Sequence, residues 1–253
     1  MKRVIWQYWE TRGTKPGFVD GLLDIARANS GCEVVQVTPD SLPAYLPDLP
    51  EEVMRIEALA HKADMIRTML VARHGGMWLD SDAIVLRDLN FLFDLLQDHE
   101  FVGFNDGGQL TEARPWVRIN CFLSRKDGAV AAEWVRRQHA KFPRTRYEWT
   151  EIGTDILHPL CLEHRPLVKI LPFELISPVP WDQVQVFGQK RPEAAAILAQ
   201  CCMMMLSNES MKARAPDLRR FTCAELAAQD TLLGDVIRGA LSLHPVREER
   251  PCT

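Results

Sequence analysis

The sequence lacks several of the patterns by which a chain most often declares its chemistry. It has seven cysteines, Cys32, Cys121, Cys161, Cys201, Cys202, Cys223 and Cys252, but no Cys-x-x-Cys pair. An odd set of scattered thiols argues against a disulfide framework or a zinc site. The seven histidines are equally scattered, without a His-Glu-x-x-His spacing, so any bound metal is expected on oxygen ligands. No run approaches the ~20 apolar residues of a membrane span. The opening Met-Lys-Arg-Val-Ile-Trp-Gln-Tyr-Trp meets Gln7, Glu10 and Arg12 before any apolar stretch long enough for a signal peptide. The chain therefore reads as cytoplasmic. A basic excess is also missing: 30 Lys and Arg against 34 Asp and Glu leave a net charge of -4, which excludes nucleic acid as an expected partner. A nucleotide-sized ligand stays open. There is no internal repeat and no low-complexity linker.

With 47% of its 253 residues hydrophobic, the chain has enough apolar mass for a substantial core, and one domain over residues 1–245 is expected, with 246–253 a fraying tail. Arg3 to Trp9 reads as a buried strand, Phe18 to Ala28 has helical spacing, and Cys32 to Val37 is β-branched enough for a second strand. This βαβ opening predicts an α/β fold with ligands at the carboxyl ends of parallel strands. Glu51 to His74 predicts one or two helices ended by Gly75-Gly76. Short strands are expected at Met77 to Leu79, Ala83 to Leu86, Phe101 to Phe104, Ile119 to Ser124, Val168 to Leu171 and Cys201 to Leu206. Helices are expected at Ala129 to Phe142, capped by Asp127 and Gly128, at Gly153 to Glu163, and at Ala224 to Leu243.

The chemically informative stretch is Lys62-Ala-Asp-Met-Ile-Arg-Thr-Met-Leu-Val-Ala-Arg-His-Gly-Gly-Met-Trp-Leu-Asp-Ser-Asp82. On a wheel at ~100° per residue, Met65, Ile66, Met69 and Leu70 share one face, leaving Asp64, Arg67 and Thr68 opposite. Asp64 and Arg67 are then neighbours at i, i+3, a spacing that by itself is better read as a solvated ion pair. A short apolar strand next delivers Asp80 and Asp82. Residues i and i+2 of an extended chain point the same way. Two carboxylates aimed at one spot repel unless a cation sits there or one takes a proton. Mg²⁺ or Mn²⁺, which binds through one or two carboxylates plus substrate phosphates, suits them. A bare Asp-x-Asp is common as an acidic turn, and the weight lies in its context.

That context resembles the DXD-containing sugar transferases of glycosyltransferase family 32, which are related to capsular polysaccharide synthesis transferases and to the catalytic domains of clostridial glucosylating toxins. The shared pattern is Ala63-Asp64-x-x-Arg67, Gly75-Gly76, then Trp78-Leu79-Asp80-Ser81-Asp82. Val4 to Trp9 resembles the family's first strand, with Trp6 in place of the usual His and Trp9 where the uracil stacks. Asn120 resembles an Asn-rich strand, Gly153-Thr154-Asp155 a helix start, and Leu206 to Ser210 a late closing loop without the usual His-Trp ending.

The resemblance implies a GT-A fold, a Rossmann-like mixed sheet flanked by helices. It also implies a nucleotide-diphosphate hexose donor, usually UDP-linked, transferred with retention. Gln7, Trp9, Asp64, Arg67, Gly76, Asp80, Ser81 and Asn120 would hold the donor, and Asp82 with Asp80 a Mn²⁺ or Mg²⁺ ion, Asn208 and Ser210 being candidates for its remaining protein ligand. Asp64, Arg67, Asp80 and Asp82 would be the catalytic set. The acceptor would be a saccharide or lipid-linked saccharide, met by a chain working peripherally at the inner face of a membrane.

A rival enzyme class, the haloacid-dehalogenase-type phosphatases, also uses Asp-x-Asp and Mg²⁺. There the pair lies near the N-terminus with Thr two residues on, whereas Ala83 and Ile84 follow here. A sugar-nucleotide-binding module without catalysis is the rival from another class. His158 and His164 read as ordinary histidines, ~120° apart on a helix. Trp116, Trp134, Trp149 and Trp181 are candidates for an acceptor groove, though most of them read as core, and Met203 to Met205 reads as packing.

Overall fold

A computed structural model of the chain describes residues 2–11, 15–113 and 116–243, so the expected tail at 246–253 lies outside the described residues. In chain order the first half contains β1 (Val4–Tyr8), α1 (Val19–Asn29), β2 (Glu33–Val37), α2 (Leu42–Tyr45), α3 (Glu51–Arg55), α4 (Leu59–His74), β3 (Gly76–Leu79), β4 (Ala83–Val85), α5 (Asn90–Asp94), β5 (Phe101–Asn105) and β6 (Cys121–Ser124). The second half contains α6 (Ala129–His139), α7 (Thr154–Glu163), β7 (Val168–Pro172), α8 (Ala194–Gln200), β8 (Met203–Met205), α9 (Asn208–Arg214), α10 (Cys223–Ala227) and α11 (Leu232–Leu243). These elements group into two compact units, each assembled from separate stretches of chain.

The first unit holds a six-stranded mixed sheet in the order β2-β1-β3-β6-β5-β7. β1 is parallel to β2 and β3, and β5 to β7, while β6 runs antiparallel to both its neighbours. Alternate residues Val4, Trp6 and Tyr8 of β1, with Trp78 of β3, Phe101 of β5 and Phe122 of β6, share a core with Met65, Ile66, Met69 and Leu70 of α4. Trp134 of α6 and Leu157 and Leu160 of α7 close the same core. Trp6, where the related family has His, donates its indole N–H to the carbonyl of Gly75 at 2.9 Å and packs edge-on against Tyr45.

In the second unit β4 pairs antiparallel with β8, and the buried amide of Asn29 donates to Val85 of β4 and Ala240 of α11, tying α1 to both. The helix expected between the first two strands exists as α1, but it belongs to this unit rather than to the sheet's. The Met203 to Met205 run is fully buried in β8, as its packing character predicts.

Three expectations are corrected. Residues 224 to 243 form two helices, not one. A Thr222–Glu225 capping box starts α10, and α11 restarts where Leu232 N–H donates to Gln189 and Gly234 N–H to the Thr231 hydroxyl. α6 ends at His139, and its first N–H is met not by Asp127 but by the Glu100 carboxylate at 2.9 Å, an anion at a helix N-terminus. Finally, residues 80 to 82 do not continue the extended strand: the acidic pair spans a turn between β3 and β4, so strand alternation does not orient its carboxylates.

Candidate active site

α4 is buried almost all round, from His61 through Ala72, which a single apolar stripe does not foretell. The face carrying Asp64, Arg67 and Thr68 is therefore an interior polar face, not the solvated one that the i, i+3 spacing by itself favours. Its groups are satisfied internally. Thr68 donates to the Asp64 carbonyl at 2.8 Å, and the Gln138 amide from α6 donates to the same carbonyl and to Ile152.

Arg67 is the hub. Its guanidinium lies 3.2 Å from the Asp64 carboxylate and 3.3 Å from that of Asp80, donates to the Ile119 carbonyl at 2.6 Å, and sits 5.1 Å from the Trp78 ring centroid. Burial pushes the Asp64 carboxyl up to about 6, Arg67 opposing the shift and Asp80 adding to it. The Asp80 carboxyl is also raised by burial, against the pull of Arg67 and a 2.7 Å hydrogen bond from the Trp78 indole. Asp80 is pinned through its backbone as well, its N–H donating to the Asn120 carbonyl at 3.0 Å.

The glycines before the strand have steric causes. Gly75, at φ +69°, caps α4, its N–H donating to Val71. Gly76, at φ +106°, lets β3 approach β1 so closely that a Cβ would meet the Val4 carbonyl at 2.6 Å. Packing alone accounts for Gly76. Ser81 is buried and donates to the Tyr8 carbonyl at the end of β1. Trp9, half-buried just past β1, donates its backbone N–H to Val37 and has the Lys15 ammonium 5.8 Å from its ring centroid. Among the described residues, the buried amide oxygens without a hydrogen-bond partner are Oε1 of Gln7, Oδ1 of Asn120 and Oε1 of Gln138.

In the second unit, Asp82 Oδ2 accepts the backbone N–H of Asn208 at 2.6 Å, and the Asp82 carbonyl accepts from Leu206. The Asn208 side-chain oxygen accepts from Arg219 at 2.9 Å, and Ser210 lies in the first turn of α9. Among the described residues no three His, Cys, Asp or Glu side chains gather as a metal cluster.

Sequence reasoning missed the buried ion pair of Lys62 with Glu10 at 3.2 Å, which ties α4 to the chain just after Trp9, and the Gln138 amide. Nothing local marks either: Gln138 stands among Arg136, Arg137 and His139 like any surface residue. His158 is buried, with burial lowering its pKa, and His164 caps α7. Of the four tryptophans, Trp134 is core, whereas Trp149 and Trp181 are exposed.

Residues 1–149 match the family model described as capsular polysaccharide synthesis protein. Over 117 residues the chain is 29% identical to the O-glycosyltransferase PaGT of Phomopsis amygdali, an alignment covering 44% of this chain and only 27% of that protein. The chain thus spans about a quarter of that relative's length. Among solved structures, PaToxG Glycosyltransferase superposes with a TM-score of 0.50 at 11% identity, over 96% of this chain and 87% of that one. The WbbM bifunctional glycosyltransferase gives the same score and identity, over 96% of this chain and 50% of its own. The mixed six-stranded sheet and these superpositions give the GT-A fold that the sequence resemblance implies. By the match over its first 149 residues the chain belongs to the capsular polysaccharide synthesis protein family.

Proposed function

We propose that the protein is a retaining glycosyltransferase that moves a hexose from a nucleotide-diphosphate sugar, UDP-linked, to a saccharide or lipid-linked saccharide. The observation that carries this reading is Arg67, a buried cation shared by Asp64 and Asp80. A fixed, dehydrated guanidinium is suited to favour charge developing on a departing diphosphate. The Asp64 carboxylate beside it would accept hydrogen bonds from donor hydroxyls and hold the sugar. The partnerless oxygens of Gln7 and Asn120 would take donor hydrogen bonds, and the Trp9 ring would stack on the base.

The residues fit a divalent ion in kind. Asp82, and Asp80 two positions earlier in the chain, are hard oxygen donors, and a Mg²⁺ or Mn²⁺ ion needs few carboxylates when substrate phosphates complete its shell. The Asp80 carboxyl, raised by burial, is a group that an added cation would favour in its ionised form. Asn208 and Ser210 are the further candidates on the protein side. Such an ion, when bound, supplies charge neutralisation at the leaving diphosphate. In the reaction proposed, the bond from anomeric carbon to phosphate oxygen breaks and the acceptor oxygen attacks from the same face. The leaving phosphate takes the acceptor's proton.

The organisation of residues 1–245 as one catalytic domain belongs to this proposal, supported by the repeated passage of the chain between the two units. So does peripheral work at the inner face of a membrane; among the described residues no helix is long and apolar enough to cross one. The test is a thermal-shift screen of nucleotide sugars with and without Mn²⁺, followed by nucleotide release from the best ligand. Saturation at ~100 Kd adds about 2.7 kcal/mol to stability. Stabilisation by a UDP-sugar with Mn²⁺ and release of UDP are expected. Stabilisation without release would favour a binding module. No response to any nucleotide sugar, with hydrolysis of p-nitrophenyl phosphate, would overturn the proposal in favour of a phosphatase.

A further inference from the structure

One turn before Asp64, α4 carries a polar side chain that the donor chemistry leaves unused. His61 is 5% exposed, and neither of its ring nitrogens has a hydrogen-bond partner. Its ring is bounded by Tyr147, edge-on at 5.9 Å, and by Trp149, tilted at 6.2 Å. Buried polar groups are normally paired, so an imidazole with two unpaired nitrogens points to a ligand that completes it.

Trp149 is the opposite case, an indole 69% exposed on a loop that is otherwise tied down. Glu151 fixes that loop, accepting from Arg144 at 2.5 Å, from Lys141 at 3.0 Å and from the backbone N–H of Glu148 at 3.0 Å. The loop then returns to the helix: a Cβ at Gly153 would stand 3.6 Å from the Asp64 carboxylate. An exposed aromatic face, a buried imidazole and Asp64 thus lie along one edge of α4.

We infer that His61 and Trp149 form the acceptor subsite, which takes a hexopyranose residue of the acceptor saccharide. A pyranose has one face of C–H groups, which packs on an indole, and a rim of hydroxyls that both donate and accept. A neutral imidazole offers one donor and one acceptor, matching two hydroxyls of such a ring. For those hydroxyls to reach the buried imidazole, the indole, 69% exposed, would swing outward. Glu151 beside this indole is compensated by Lys141 at 3.0 Å and Arg144 at 2.5 Å, so no unpaired charge of that carboxylate faces the ring, which suits a neutral sugar as the occupant. The inference rests on the glycosyltransferase reading, because Asp64 is taken to hold the donor sugar next to it.

The test is saturation-transfer NMR of the methyl α- and β-glucosides, galactosides and mannosides, with UDP and Mn²⁺ present. It uses the wild-type chain, Trp149→Ala, Trp149→Phe and His61→Ala, with UDP affinity measured in parallel by calorimetry. At least one glycoside should bind the wild type, about tenfold more weakly to Trp149→Ala and His61→Ala, and within about threefold to Trp149→Phe. UDP affinity should be unchanged in Trp149→Ala, whose substitution is on the surface. Binding of UDP with no glycoside bound, or equal glycoside binding by Trp149→Ala, overturns the acceptor subsite and leaves the donor reading standing. Failure of the wild type to bind UDP or any nucleotide sugar overturns both.

Discussion

Nη2 of Arg67 lies 3.3 Å from Oδ1 of Asp80, so the residue that opens the acidic turn is held by a cation from α4, three residues on from a second carboxylate at Asp64. One guanidinium serves a buried carboxyl, Asp64, and a half-buried one, Asp80. Arg67→Ala is therefore expected to cost about 3–5 kcal/mol, the range for breaking a buried ion pair. Arg67→Lys keeps the charge but loses the planar fork that reaches Asp64, Asp80 and Ile119 together. It should stay folded with turnover down by roughly 100-fold, about 2.7 kcal/mol of barrier. Thermal melts and steady-state rates on both variants check this, and a lysine variant with wild-type turnover would remove Arg67 from the mechanism.

Asp64 gives a pH signature. Its carboxyl, near 3.8 when unfolded, is raised to about 6 by burial, so the native state favours the proton. Stability tied to this group is fully present below about pH 4 and lost as pH rises through about 6, a tenfold change in proton affinity being worth ~1.4 kcal/mol. Asp64→Asn lacks the titration. Measured without ligand or metal, the Tm of the variant relative to wild type should climb between pH 4 and 7 and then level off, while transfer is lost at every pH. A constant Tm difference across that range would show that the carboxyl is not raised.

The spacing of Asp64, Arg67, Asp80 and Asp82 is legible in the sequence because helix period, glycine stop and short apolar strand are all local. The environment of these residues is not. Asp64 and Arg67 by themselves read better as a solvated pair, and their burial depends on Gln138 and Ile119, distant in the chain. The Lys62–Glu10 pair escapes for the same reason, since a lysine on a mostly apolar helix gives no sign of an acid 52 positions away. The turn at 80–82 misleads because an apolar run into a charged tripeptide looks extended. Its shape follows instead from the Asn120 carbonyl holding Asp80 and, in the other unit, the Asn208 N–H holding Asp82. The break between α10 and α11 escapes because helix propensity runs through it, while the restart is made by Gln189 and Thr231.

Gly76 separates packing from ligand binding. At φ +106°, and with the Val4 carbonyl 2.6 Å from any added Cβ, alanine must both strain the backbone and push β3 from β1. Gly76→Ala should lower stability by about 2–4 kcal/mol. If the variant folds at low temperature with the donor affinity of wild type, the glycine serves the sheet alone. A stable variant that has lost only donor affinity would assign Gly76 to the donor instead.

Asp82 allows charge to be separated from shape. Its Oδ2 accepts the first N–H of α9 from Asn208 at 2.6 Å, a capping bond that an asparagine can reproduce through its amide oxygen and an alanine cannot. Asp82→Asn should therefore melt within about 1 kcal/mol of wild type, whereas Asp82→Ala should lose a further ~1 kcal/mol from the uncapped helix. The two should be alike in function, because an amide oxygen is neutral and a weaker ligand for a hard divalent ion. Transfer should be abolished in both, and Mn²⁺ should no longer tighten UDP binding when measured by calorimetry. Stability would then follow the capping bond and activity the charge. Near-wild-type turnover in Asp82→Asn, with its cap intact, would remove the metal from this aspartate and leave it a structural residue of α9.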